Sequence, residues 1–248
     1  MYNPFSLHEK TILVTGASSG IGRSIAVECS KMGAKVVITA RNEQRLNETV
    51  SQMEGAGHII IVADLENKED RDRIISISPM LDGLVNCAGI VKTLLFPFIN
   101  AEALTSVMNI NFTAPVLMSA DFVKKKRLSK NSSIVFISSI SGVVCVGGGN
   151  SMYSASKGAI NGIMKNMAFD LAPKGIRVNS VNPGVVETHI FDAGTITPEQ
   201  LEEDKKKYPL KRYGKPEEIA YATIYLLSDA SSWVTGSSII IDGGYTLL

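Results

Sequence analysis

Short apolar runs and helix-patterned segments alternate along nearly the whole of this 248-residue chain. Seven runs have the length and β-branched content of strands: "TILVTG" (Thr11–Gly16), "KVVITA" (Lys35–Ala40), "HIIIVADL" (His58–Leu65), "GLVNCAG" (Gly83–Gly89), "SSIVFISS" (Ser132–Ser139), "IRVNSVNP" (Ile176–Pro183) and "SIIID" (Ser238–Asp242). Between them, helical patterning covers Gly22–Gly33, Asn42–Met53, Glu66–Ile77, Ala101–Lys126, Tyr153–Leu171 and Pro216–Asp229. Several of the runs are apolar on both faces, as strands are when helices cover both sides of a parallel sheet. The pattern predicts an α/β, doubly wound (Rossmann) fold: a mostly parallel seven-stranded sheet with helices on both faces. No linker, repeat or low-complexity tract divides the chain, so residues 1–248 are expected to form a single domain.

Composition narrows the function. The chain has 25 Lys and Arg against 24 Asp and Glu, and a net charge of +1 gives no global field for nucleic acid. No apolar run approaches the ~18 residues of a membrane span, and "MYNPFSLHEK" lacks a signal-peptide core. The 3 cysteines, Cys29, Cys87 and Cys145, are scattered without metal spacing or an even count for disulfides. A reduced, cytoplasmic setting is expected. His8, His58 and His189 are far apart, and no metal site is expected.

In such sheets ligands bind beyond the carboxyl ends of the strands. The first loop there is "TGASSGIG" (Thr15–Gly22), which follows a strand and opens a helix. Glycines at 16, 20 and 22 leave bare backbone for a pyrophosphate, and the helix N-terminus points its free N–H groups at that anion. The second strand ends in Ala40-Arg41 rather than an acidic residue. A guanidinium there can take a 2′-phosphate bidentately, which predicts NADP(H) in preference to NAD(H). A solvated surface arginine is the alternative. Asp64 and Leu65 end the third strand, where they can meet adenine, or Asp64 can cap the segment that follows. "NCAG", Asn86 to Gly89, offers Ala88 and Gly89 as small residues beside a cofactor.

Tyr153 and Lys157 stand four positions apart in "YSASK", on one face of a helix. An adjacent ammonium favours phenolate; moving a phenol from ~10 to ~7 takes about 4 kcal/mol. The phenol could then pass a proton to a carbonyl oxygen as hydride reaches the carbon. Ser139 follows the fifth strand, where its hydroxyl could hold that oxygen. Thr188, in "NPGVVET" after the sixth strand, could grip the nicotinamide carboxamide.

With "TGASSGIG", "NCAG", "ISS", "YSASK", "NPG" and the terminal "DGG" in place, the chain resembles the short-chain dehydrogenase/reductase family over its whole length. That resemblance implies Tyr153 as acid/base, Lys157 as the group that lowers its pKa and binds the nicotinamide ribose, and Ser139 as the carbonyl orienter. It places a proton-relay water at Asn111, with Asn109 as the less favoured choice. Cofactor contacts are implied for Thr15, Gly16, Ser18, Ser19, Gly20, Ile21 and Gly22 in the first loop. Further contacts are implied for Arg41, Asp64, Leu65, Asn86, Ala88 and Gly89, for Tyr153 and Lys157, and for Pro183, Gly184, Val186 and Thr188. It also implies a homotetramer packed through Ala101–Lys126 and Tyr153–Leu171. Cys87 departs from the family's second asparagine, Asp64 to Asn86 is short for the family, and no basic residue occupies the glycine loop.

A lid over the substrate is expected near residues 185–212, with Ile190 and Phe191 near its start. Ile90, Val91, Cys145, Val146 and Met152 are expected as pocket residues, with space left by Gly147 to Gly149. Within the family the chain is most similar to 3-oxoacyl-[acyl-carrier-protein] reductases, which implies a carrier-bound substrate. Lys124–Arg127, Lys130 and Lys174 could then dock an acyl carrier protein, or simply be a solvated helix end. A small free carbonyl, sugar, polyol or secondary alcohol is the alternative substrate. A nucleotide-binding regulator without turnover is a third possibility, opposed by the intact Ser139, Tyr153 and Lys157.

Overall fold

The apolar runs become strands, and those inside the sheet bury both faces. The computed structural model describes residues 2–188 and 197–247. In it the strands are β1 (Thr11–Thr15), β2 (Lys35–Ala40), β3 (Ile59–Val62), β4 (Leu81–Asn86), β5 (Leu128–Ile137), β6 (Arg177–Pro183) and β7 (Ser238–Ile241). They form one seven-stranded sheet in the order β3-β2-β1-β4-β5-β6-β7, parallel at every pairing. The helices are α1 (Gly20–Lys31), α2 (Glu43–Val50), α3 (Lys68–Ile77), α4 (Ala101–Met108), α5 (Ala114–Lys124), α6 (Ser151–Leu171), α7 (Pro198–Lys205) and α8 (Pro216–Leu227).

Alternate strand residues fill two cores. Val14, Val36, Ile38, Val85, Val135 and Val181 pack against Ile25 and Cys29 of α1 and Ile219 and Ile224 of α8. Leu13, Val37, Leu84, Ile134, Phe136 and Val178 face Ile74 of α3, Met118 and Phe122 of α5 and Met164 of α6. The period-2 alternation of a strand thus serves both faces at once.

The single helix expected over Ala101–Lys126 is instead interrupted. Asn109–Thr113 forms a π-helical turn in which Ala114 N–H reaches back to Asn109 O. Pro115 supplies the reason: it has no N–H, so an ordinary ladder cannot close behind it. β5 begins and ends earlier than expected, which releases Ser138 and Ser139 into the loop at the carboxyl edge. Among the described residues, no helix is long and apolar enough to cross a membrane, and no cluster of side chains could hold a metal ion.

Candidate active site

Because every strand runs the same way, one edge of the sheet collects the loops after β1, β2, β4, β5 and β6. The glycine loop joins β1 to α1. Gly16 has φ +68, and a Cβ there would lie 2.8 Å from Ala88 Cα, so only bare backbone fits between the β1 and β4 loops. Ser19 caps α1 without a side-chain hydrogen bond, leaving the first-turn amides to a ligand. The residues therefore fit a dinucleotide's pyrophosphate. Thr188 closes over the same loop: its Cγ2 would be 3.2 Å from a Cβ on Gly20.

Thr15 and Asn86 turn their side chains to the scaffold. Thr15 Oγ1 accepts from Cys87 N (3.0 Å) and Ala88 N (3.1 Å), tying β1 to the β4 loop. Asn86 Nδ2 donates to Ser119 Oγ of α5 at 3.1 Å. At the ends of β2 and β3, Arg41 Nη1 lies 4.0 Å from Asp64 Oδ2, and Arg41 is 68% exposed. Asp64 Oδ1 accepts from Glu66 N at 3.0 Å, while Asn67 caps α3. Asp64 thus turns the chain with one oxygen and faces Arg41 with the other.

After β6, Gly184 N donates to Ile241 O at 2.9 Å. Val186 is buried and bridges to Gly214, which fixes the segment leading to Thr188. Ile190 and Phe191 lie outside the described residues. Tyr213 Oη donates to Asp204 Oδ2 of α7 at 2.8 Å. Tyr208 is buried between Tyr213 and Tyr245.

The reaction-centre residues come together. Tyr153, in the first turn of α6, lies beside the Ser139 side chain, which favours the ionised phenol. Ser139 Oγ also accepts from Ser141 N at 3.1 Å, which fixes its direction. Lys157 lies one turn further along α6, its Nζ 5.6 Å from the Tyr153 ring centroid and donating to Ile137 O at 2.8 Å. Burial pulls the Lys157 ammonium down to about 8. Lys157 is not among the protein's own groups that shift the Tyr153 phenol. Burial pushes Tyr153 up, and the Ser139 side chain only partly opposes it.

Asn111 sits in the π turn. Its Oδ1 accepts from Ile90 N (2.8 Å), and its Nδ2 donates to Ile90 O (2.9 Å) and Ser156 Oγ (3.0 Å). A Cβ on Gly89 would lie 3.2 Å from Asn111 Oδ1 and 3.6 Å from Lys157 Nζ, so these three residues converge. Asn109 has its carbonyl taken by Ala114.

On the substrate side the sequence expectation is mixed. Val91 and Val146 are exposed and Cys145 is half-buried. Met152 is instead buried in a third apolar cluster with Ala103 and Val107, against which Ile90 also packs. The basic run is placed at the other edge of the sheet: Lys124–Arg127 and Lys130 lead into or begin β5, and Lys174 precedes β6. Lys125 pairs with Asp72 at 2.6 Å, and Arg127 donates to Ser78 O. Those cations are therefore remote from Tyr153 of the same chain.

Known proteins resemble this chain over nearly its whole length. A family described as enoyl-(acyl carrier protein) reductase matches residues 16–246. The 3-oxoacyl-[acyl-carrier-protein] reductase of Rickettsia felis is 35% identical over 96% of this chain and 98% of its own. A candidate gluconate dehydrogenase of Agrobacterium tumefaciens superposes with a TM-score of 0.91 at 28% identity, covering 100% of both chains. A candidate NAD(P)-dependent gluconate 5-dehydrogenase of Beutenbergia cavernae, with NADP bound at low occupancy, gives 0.90 at 30% identity over 99% of this chain and 100% of its own.

Proposed function

The chain belongs to the short-chain dehydrogenase/reductase family and is an oxidoreductase of it, and we propose that it uses NADPH to reduce the carbonyl of a 3-oxoacyl thioester. The observation that carries the reaction type is the Ser139 side chain beside the Tyr153 phenol, with Lys157 one turn away along α6. The nicotinamide, when bound, supplies hydride to the carbonyl carbon. The Ser139 hydroxyl, oriented by Ser141 N–H, donates to the carbonyl oxygen. The Tyr153 phenol gives that oxygen its proton. The Lys157 ammonium stabilises the phenolate left behind and holds the ribose. Asn111 positions the reprotonating water through its backbone carbonyl, since its side chain is committed to Ile90 and Ser156 and Pro115 offers no N–H to that turn.

The remaining cofactor contacts follow the loops. Gly16, Ser18, Ser19, Gly20, Ile21 and Gly22 receive the pyrophosphate, Asp64 and Leu65 the adenine, Ala88 and Gly89 the adjoining ribose. Pro183, Gly184, Val186 and Thr188 hold the nicotinamide. Arg41 selects the 2′-phosphate. Replacing Arg41 with alanine is expected to raise the KM for NADPH roughly 10- to 100-fold, the worth of a charge-assisted phosphate contact, and to leave NADH nearly unaffected. Equal losses with both cofactors would refute the selection.

A free sugar acid, polyol or secondary alcohol is the second substrate class, favoured by the similarity to candidate gluconate dehydrogenases. Initial rates on an acetoacetyl thioester, against a panel of sugar acids, polyols and alcohols assayed in the oxidative direction, decide between them. Faster turnover of any panel member than of the thioester would overturn the 3-oxoacyl assignment. The tetramer remains the family expectation; light scattering that gives a monomer would reject it. Exposed Leu104 of α4, Leu117 of α5 and Phe169 of α6 are the apolar surface available to it.

A further inference from the structure

A loop that turns its N–H groups toward a phosphate turns carbonyls back into the protein, and each of those needs a donor. Two side chains supply them here. The Thr49 hydroxyl donates to Ala17 O at 2.8 Å. Arg23 Nη2 donates to Ser18 O at 2.7 Å. The guanidinium is itself held on several sides. Nη2 also meets Glu48 Oε2 at 3.0 Å and Arg45 O at 3.3 Å, and Nε donates to Thr49 Oγ1 at 3.1 Å. One cluster therefore joins the glycine loop, α1 and α2.

Thr49 is conspicuous by its chemistry. It is 0% exposed, and with Leu46 it makes the buried face of α2. Valine has the same shape and would fill that position without a buried hydroxyl. What the hydroxyl adds is an acceptor for Arg23 and a proton placed between the Ala17 carbonyl at 2.8 Å and the Arg45 carbonyl one turn back at 3.0 Å. Arg23 is 21% exposed, and Glu48 offsets its charge.

We propose that Arg23 and Thr49 are positioning residues for the bound dinucleotide: a clamp, anchored by Glu48, that holds the Ala17 and Ser18 carbonyls back and keeps the loop amides aimed at the pyrophosphate. The proposal rests on the nicotinamide-cofactor assignment above. It separates from the role of Arg41 by the part of the cofactor served. The pyrophosphate is common to NADPH and NADH, so the clamp acts on both alike, whereas Arg41 acts on the 2′-phosphate alone.

The test is direct titration of NADPH and NADH, read by nucleotide fluorescence, into the parent and the Thr49→Val, Thr49→Ser and Arg23→Met proteins, with Tm recorded for each. Thr49→Val is expected to raise both dissociation constants by the same factor, roughly tenfold, because it orphans the Ala17 carbonyl and removes an Arg23 acceptor. Thr49→Ser, which keeps the hydroxyl, is expected to restore parent affinity. Arg23→Met is expected to weaken both cofactors at least as much. Should Thr49→Val fail to fold, Arg23→Met carries the same comparison. A lowered Tm with unchanged dissociation constants would reduce the cluster to a structural one and overturn the proposal. So would Thr49→Ser binding as weakly as Thr49→Val, or a loss confined to NADPH. A parent protein that bound neither dinucleotide would overturn the cofactor assignment and the clamp with it, and would be seen before any variant is compared.

Discussion

Tyr153→Phe is expected to lower kcat by about 10²- to 10⁴-fold, the usual worth of a positioned general acid, with the dissociation constant of NADPH unchanged. The substitution removes one oxygen and keeps the ring that packs in the first turn of α6. That oxygen neighbours the Ser139 hydroxyl, so both can reach one carbonyl oxygen. Its environment suits proton donation: burial keeps the phenol protonated, so it reaches a reductive turnover carrying the proton it must give. Lys157 stabilises the charge that appears when the proton leaves. A variant that reduced substrate at the parent rate would remove Tyr153 from the mechanism.

Gly142→Ala is expected to cost about as much while leaving the glycine loop untouched. Gly142 has φ +80, and its added Cβ would fall 2.0 Å from Ser154 O and 2.7 Å from Ser154 C. Neither the left-handed conformation nor the backbone contact can be relieved by a rotamer change. At this point the loop bearing Ser139 rests on the first turn of α6, and Ser141 Oγ lies 3.2 Å from Ser154 Oγ. The methyl group must push the two segments apart, and with them Ser139 from Tyr153. A displacement of about 1 Å at a reacting centre costs on the order of 10²-fold in rate. Gly148, in the same loop, has nothing within 4 Å of its added Cβ and serves as the control. Steady-state rates with matched NADPH titrations check the pair. Gly142→Ala turning over like the parent, or Gly148→Ala failing equally, would show that the contact does not set the site.

What was readable in the chain was local. The strands announced themselves because burial on both faces is written into most of the runs as consecutive Val, Ile and Leu. The glycine loop was readable because its glycines fall between a strand and a helix. The spacing of Tyr153 and Lys157 fixes them on one helical face wherever that helix goes. Pro115 was also in view, yet the apolar pattern ran on through it, and only the closed π turn shows how the chain absorbs a missing N–H.

The rest depended on which elements meet. Met152 is next to Tyr153 in sequence, but one step along a helix turns a side chain by ~100°, and here that step leads to Val107 rather than to the pocket. The lysines before β5 read in sequence only as a charged helix end, and it is the parallel sheet that puts the start of β5 opposite the edge bearing Tyr153. Desolvation, which no spacing encodes, dominates the Tyr153 phenol. Arg23 and Thr49 carry no motif, because their partners are backbone carbonyls. By itself, then, the sequence determined the α/β layering, the dinucleotide loop and the Tyr153–Lys157 pair, since each depends on neighbours within a turn or a strand. Only the tertiary structure decided how Ser139 is aimed, what Asn111 holds and where the cations lie. Those depend on distances between segments that the chain separates and the parallel sheet brings to one edge or the other.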